Sequence, residues 1–167
     1  MKFISLNGST CSGKSTIVKE VLNQRDRLFA LSYDSVKRSF SQYTPDTHFD
    51  DVHTVMLSMM RVLSEMKYDI ICDSGLRKNW RETLLDAART NGYEVIEINL
   101  ECGFDALAQR FDERVANPTK GIIINLSKNR FKELHDTFQN EKNTSALTFQ
   151  TDVQSIQEIS RSILKLF

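Results

Sequence analysis

The sequence predicts an α/β fold: a five-stranded, mostly parallel sheet with helices on both faces. Three observations predict it. Short apolar runs alternate with longer helical stripes, a glycine-rich stretch joins the first run to the first stripe, and two later runs end in aspartate. Parallel strands are buried on both faces, so they read as continuous apolar runs between amphipathic helices.

The first strand runs from Lys2 to Asn7, and a helix opens near Lys14. A second strand spans Leu28 to Tyr33 and closes at Asp34, which leads straight into a helix. Aspartate at such a junction caps the free N–H groups of the helix, and that is its ordinary role. "DDVHTVMLSMMRVLSEM" then puts Val52, Val55, Met56, Met59, Leu63 and Met66 on one face of a long helix, with the methionines as core filler.

The third strand covers Asp69 to Cys72 and the fourth Tyr93 to Leu100. Phe104, Leu107, Ala108, Phe111 and Val115 form a helical stripe, as do Val153, Ile156, Ile159, Ile163 and Phe167. The last strand, Ala146 to Phe149, lies between them. Pro45 and Pro118 fall in polar stretches that read as loops.

A chain of 167 residues is one domain, residues 1–167, with enough length to bury its own core. Its formal net charge is zero, so no long-range field draws it to nucleic acid or to an anionic membrane. Cys11, Cys72 and Cys102 are odd in number and lack the paired spacing of a zinc site, which fits a reducing compartment. No apolar run reaches membrane-spanning length and the N-terminus lacks a cleavable leader pattern, so the expectation is a cytoplasmic protein, monomeric or weakly dimeric. His48 and His53 flank Asp50 and Asp51, but a spacing of five does not stack on one helix face and no third ligand is near.

"GSTCSGKST" fits G-x-x-x-x-G-K-[ST] through Gly8, Gly13, Lys14 and Ser15, and it stands where that pattern must stand, between a strand and a helix. Glycines allow backbone angles closed to other residues, so the N–H groups from Ser9, Thr10, Cys11 and Ser12 through Thr16 can turn toward phosphate oxygens at the helix N-terminus. Lys14 would reach the β- and γ-phosphates, and Ser15 would ligate Mg²⁺. A second acid, Asp73, ends the strand "DIIC" and would help hold Mg²⁺ or position substrate, because the C-terminal ends of parallel strands gather at a ligand crevice. The same argument brings Asp34 within reach of one bound nucleotide.

These residues resemble small P-loop phosphotransferases, in particular the chloramphenicol phosphotransferase-like group and the related polynucleotide kinases and zeta-toxin kinases. "LNGSTCSGKST" is similar to the Asn-Gly opening of the first group's phosphate loop, and "SYDSVKR" to its strand ending in Asp-Ser. "IICDSGLRKNWRETLLDAARTNGYEVIEINLEC" resembles a strand-end acid, a basic helix and a returning strand. "LAQRFDERV" resembles the start of the lid, where two arginines four apart meet one anion.

The resemblance implies a P-loop three-layer sandwich with strand order 2-3-1-4-5 and a helical lid at about residues 110–130. It implies that Asp34 is the base toward an acceptor hydroxyl, that Arg110 contacts the nucleotide and that Arg114 contacts the transferring phosphate. Polynucleotide kinases carry an arginine shortly after the catalytic aspartate; here either Lys37 or Arg38 takes that place. Arg77 and Arg81 stand one turn apart beside Asp73, so one of them, Arg77 as the first candidate, could hold the substrate or the γ-phosphate, although a solvated position is the default for both. The loop holding Thr151 and Asp152 borders the adenine in such kinases, while either residue by itself reads as a helix cap. Trp80 reads as packing, His135 as a boundary residue, and Lys120, Lys128 and Arg130 as undifferentiated lid cations.

No N-K-x-D guanine motif appears, which favours ATP. The expected activity is therefore transfer of the γ-phosphate of ATP, with Mg²⁺, to a hydroxyl of a small molecule such as an antibiotic, nucleoside or sugar nucleotide. A 5′-hydroxyl polynucleotide kinase is the less favoured alternative, because a neutral chain lacks the field for a polyanion. A nucleotide-driven switch or ATPase with no acceptor is the other.

Overall fold

The structure is a computed structural model that describes residues 1–73, 78–117 and 126–167. Five strands form one parallel sheet: β1 (Lys2–Gly8), β2 (Leu28–Leu31), β3 (Asp69–Cys72), β4 (Glu94–Glu101) and β5 (Leu147–Gln150). Their order is β2-β3-β1-β4-β5, as the resemblance implied, and every neighbouring pair is parallel. The central β1 pairs along its whole length with β4, from Lys2 opposite Glu94 to Gly8 opposite Leu100. The order reverses at β1, so the crevice of a doubly wound sheet opens beyond its C-terminal end.

Seven helices accompany the strands among the described residues: α1 (Lys14–Leu22), α2 (Tyr33–Lys37), α3 (Pro45–Glu65), α4 (Lys78–Thr90), α5 (Phe104–Ala116), α6 (Lys128–Glu141) and α7 (Ile156–Leu164). Alternation along the strands assigns them to layers. Phe3 and Ile70 face α3 and α4, where they meet Met56, Met60, Leu84 and Leu85. Ile4, Leu6 and Ile71 face the other way, toward Ile17 and Val21 of α1 and Ile159 and Ile163 of α7. A smaller apolar group, Cys11, Cys102, Leu107, Phe111 and Phe131, joins α5 and α6 to the strand ends. No helix among the described residues is long and apolar enough to cross a membrane.

Several local expectations change. Pro45, read as a loop residue, opens the first turn of α3, where its missing N–H has no helical partner to lose. β2 stops at Leu31, because its ladder with β3 ends where Leu31 faces Cys72; beyond it, the Val36 N–H turns back to the Ser32 carbonyl at 3.1 Å and α2 has begun. Ser32 takes the cap position, so Asp34 lies in the first turn of α2 rather than capping it. On α3 the buried stripe includes His53, Met60 and Ser64, while Val55 and Met66 are exposed. The rotation follows from His53, whose ring stacks on Trp80 at 3.9 Å and draws that face inward.

At the C-terminus Val153 is 82% exposed and precedes α7. Ser155 caps α7 in place of Thr151 or Asp152: its side chain accepts from the Glu158 N–H at 3.2 Å, and Glu158 accepts in return from the Ser155 N–H at 2.8 Å.

Candidate active site

The loop between β1 and α1 is built for close approach. A Cβ added at Gly8 would lie 2.5 Å from Ser12 Oγ and 2.8 Å from the Leu100 carbonyl oxygen, so glycine alone fits there. Cys11 and Gly13 both adopt left-handed backbone, with φ of 68° and 92°. Such turns aim successive N–H groups into one concavity at the N-terminus of a helix, where an anion is favoured. The Thr16 and Ile17 N–H groups bond back to the Gly13 carbonyl at 3.1 and 3.0 Å, closing the first turn of α1 beneath that concavity.

Lys14 folds over this loop, its Nζ donating to the Gly8 carbonyl at 2.6 Å and to the Ser9 carbonyl at 2.8 Å. Burial lowers its pKa to about 8, against the attraction of Asp73 and Asp34. Ser15 Oγ donates to Asp73 Oδ2 at 2.9 Å, while Asp73 Oδ1 is buried with no hydrogen-bond partner among the described residues. A hydroxyl and a carboxylate with an unused oxygen form a hard-oxygen donor set, and Mg²⁺ takes one or two such protein ligands plus phosphate oxygens and water. The residues present therefore fit Mg²⁺.

Asp34 lines the same cleft as the phosphate loop and Asp73, a space of about 580 Å³. Its carboxylate is exposed and paired with Lys37 Nζ at 2.5 Å. Tyr33 and Phe49 form an apolar wall, and α6 contributes Arg130, Leu134 and Thr137 on the other side. Arg38, at the C-cap of α2, is exposed and lines neither cleft described here. Of the two candidate cations after Asp34, Lys37 is the one in contact with it.

A second cleft of about 510 Å³ opens on the other side of the loop, lined by Gly13, Thr16, Arg110, Thr151 and Gln154. Arg110 is clamped there: Nη2 donates to the Thr151 carbonyl at 2.6 Å, and Nη1 lies 3.2 Å from Thr151 Oγ1 and 3.4 Å from the Cys11 carbonyl. Arg114, one turn on, points Nη1 at Cys11 Sγ, 3.8 Å away, and borders both clefts. The two arginines thus converge on one loop residue. Burial pushes the Cys11 thiol up despite both guanidiniums, so it stays protonated. Asp152 accepts from the Gly103 N–H at 2.8 Å, tying the end of β4 to the loop after β5.

Arg77 and Lys120 lie outside the described residues, as does the middle of the expected lid, 118–125. Of the other lid cations, Lys128 pairs with Asp112 at 2.9 Å and Arg130 with Glu133 at 2.7 Å. Two residues whose default reading from sequence is a solvated or a boundary position touch the candidate site. Arg81 is buried and lines the larger cleft, and His135 Nδ1 lies 2.9 Å from Ser9 Oγ, tying α6 to the phosphate loop. Both stand on their helices' inner stripes, Arg81 with Leu84, Leu85 and Ala88, and His135 with Phe131 and Phe138. Their spacing held the signal. Trp80 packs against His53 and Phe49, as expected of a large aromatic.

The profile of a family described as an AAA domain matches residues 3–152, from β1 through β5. The chain belongs to the AAA domain family. Among solved structures, this AAA domain is similar to a Chloroflexus aurantiacus protein provisionally called a kinase, with a TM-score of 0.75, 16% identity, and coverage of 99% of this chain and 94% of that one. It is also similar to a sugar kinase from a Janibacter species, with a TM-score of 0.70, 15% identity, and coverage of 99% and 93%. A third is Kti12 of Chaetomium thermophilum, solved in complex with ADP-AlF3, with a TM-score of 0.69, 16% identity, and coverage of 98% and 96%. No curated protein matches the sequence. At these identities the likeness is one of fold: this AAA domain shares the P-loop fold of these structures.

Proposed function

We propose that the chain, acting as one domain over residues 1–167, is a kinase that transfers the γ-phosphate of ATP to a hydroxyl of a small molecule. The observation that carries this reading is that Asp34, a carboxylate with no part in the loop, opens onto the cleft that holds Lys14, Ser15 and Asp73. A site for hydrolysis alone needs no second wall of aromatic and charged side chains. This one has a wall of Tyr33 and Phe49 facing α6, with room for an acceptor. The ADP-AlF3 bound to Kti12, a protein of the same fold, also supports a nucleotide at the loop.

In this reading the N–H groups from Ser9 to Thr16 cradle the phosphates, and the base lies in the cleft beside Thr151 and Gln154. Lys14 leaves the carbonyls of Gly8 and Ser9 to meet the β- and γ-phosphate oxygens. Ser15 and Asp73 would hold Mg²⁺, which would supply neutralisation of the phosphate charge. Arg110 stays on the nucleotide side, and Arg114 swings from Cys11 toward the transferring group.

Asp34 accepts the acceptor hydroxyl's proton as that oxygen bonds to the γ-phosphorus and the bond to the bridging oxygen of ADP breaks. Lys37 holds the carboxylate in place until the acceptor arrives. Arg77 and the lid residues would complete the substrate side. Small, neutral or modestly charged acceptors are favoured over a polynucleotide by the chain's balanced charge.

The test is a transfer screen with γ-labelled ATP across antibiotics, nucleosides, sugars, sugar nucleotides and 5′-hydroxyl oligonucleotides. A labelled small molecule is the expected result. Labelled oligonucleotide alone would move the protein to the polynucleotide kinases. Steady release of phosphate with no labelled acceptor would make it an ATPase.

A further inference from the structure

The larger cleft holds a cation that the transfer chemistry leaves unused. Arg81, at the end of the first turn of α4, is 7% exposed, yet it borders the cavity shared by Lys14 and Asp34. Its Nη2 donates to the Glu141 carbonyl at 2.8 Å. Its Nε forms an ion pair with Glu97 Oε2 at 3.6 Å, beyond hydrogen-bond range, and neither buried atom has a hydrogen-bond partner among the described residues. A buried guanidinium is costly unless a carboxylate meets it at hydrogen-bond distance. A strut between α4 and β4 would close that gap, whereas here a charge-paired guanidinium keeps part of its hydrogen-bonding capacity unused at a cavity wall.

The other cations of this cleft are already answered. Arg130 is half exposed and paired with Glu133 at 2.7 Å, while Lys14 and Arg114 face the phosphate loop. The apolar part of the cleft is braced from the same turn of α4. Trp80, next to Arg81, stacks on His53 at 3.9 Å; His53 lies 4.5 Å from Phe49 and its Nδ1–H donates to the Phe49 carbonyl, 2.7 Å away. Phe49 and Tyr33, 5.8 Å apart, are thereby held as one wall.

We propose that the acceptor carries an anionic group, a phosphate or a carboxylate, on a ring or sugar body, and that Arg81 binds that anion. This rests on the kinase reading above. Tyr33 and Phe49 would cover the acceptor's body, and the anion held by Arg81 would set which hydroxyl meets Asp34. The planar fork of a guanidinium matches two oxygens of either anion, which an ammonium cannot do.

Transfer from γ-labelled ATP is measured on matched pairs: ribose with ribose 5-phosphate, glucose with gluconate, uridine with uridine 5′-monophosphate. In at least one pair the anionic member is expected to exceed its neutral partner by about tenfold or more in kcat/KM. The pair that shows it tells phosphate from carboxylate. Arg81→Met should remove that advantage, costing about tenfold on the anion and under about threefold on the neutral partner, with the KM for ATP unchanged. Arg81→Lys, which keeps the charge and loses the fork, should keep part of the advantage and supplies a second reading if the Met variant does not fold. Equal use of both members by the wild type, or an equal loss on both in Arg81→Met, overturns the inference and leaves the kinase reading standing. Phosphate release with no acceptor labelled in any pair overturns both.

Discussion

Ser15 Oγ donates a 2.9 Å hydrogen bond to Asp73 Oδ2, linking the first turn of α1 to the end of β3 across 58 residues of sequence. The bond exists because β1 and β3 are neighbours in the sheet, with Ser5 opposite Cys72. It brings a hydroxyl and a carboxylate to the phosphate loop, and Asp73 Oδ1 remains to be used. If this pair holds Mg²⁺, Asp73→Asn should remove most of the gain in ATP affinity that Mg²⁺ gives, while affinity measured in EDTA stays within about threefold. Titration calorimetry with and without Mg²⁺ reads both numbers.

The two glycines of the loop should fail differently. Gly8→Ala meets Ser12 Oγ at 2.5 Å and backbone at 2.8 Å, so overpacking should cost about 2 kcal/mol of stability and lower the melting temperature. Gly13→Ala meets nothing within 4 Å, but its φ of 92° is strained for a side chain, so a smaller loss, about 1 kcal/mol, is expected together with weakened nucleotide binding. Paired thermal melts and nucleotide titrations separate the two effects.

Lys14 carries a pH signature. Its pKa in the free protein is lowered to about 8 by burial, and a bound phosphate would raise it, so the complex holds a proton that the free protein loses. Nucleotide affinity should therefore be level from pH 7 to about 8, then fall by up to about tenfold per pH unit above that, until the pKa of the complex is reached. In the free protein the sign is opposite: between the lowered pKa and the ordinary 10.5 the unfolded chain binds more protons, so this group adds stability as pH rises. ADP affinity measured from pH 7 to 9.5 checks the first claim, and a level profile over that range would refute it.

His135 should act through the phosphate loop rather than through the acceptor. Its Nδ1 meets Ser9 Oγ at 2.9 Å, and Phe104 packs 5.2 Å from its ring. His135→Ala is expected to raise the KM for ATP severalfold, while His135→Asn, which keeps a polar group near that position, restores part of it. Initial rates with each variant decide the matter.

The phosphate loop was legible because its information is local. Gly8, Gly13, Lys14 and Ser15 lie within eight consecutive positions, and their spacing alone dictates the turn, the lysine and the hydroxyl. The sheet was legible because its buried strands read as short, mostly apolar runs such as "DIIC" between longer amphipathic stripes. What was harder to read depends on distant partners. Arg81 reads as a solvated charge until Glu141, 60 residues on, is seen to cover it. His53 and Trp80 turn α3 inward through a contact between two helices, and no periodicity within α3 announces that. The place of Asp34 shifted from strand end to helix turn because the β2 ladder ends at Leu31 and the Val36 N–H already bonds back to the Ser32 carbonyl.

The central claim is that Asp34 takes the proton of an acceptor hydroxyl, and Asp34→Asn tests it most directly. Ser32 holds the cap position, and the Asp34–Lys37 pair is exposed enough to contribute under about 0.5 kcal/mol, so the variant should fold normally. The measurement is γ-phosphate transfer to the acceptor found in the screen, with ATP affinity determined alongside. The prediction is a loss of about a hundredfold or more in kcat with ATP affinity within about twofold of wild type. Full turnover by Asp34→Asn would contradict it.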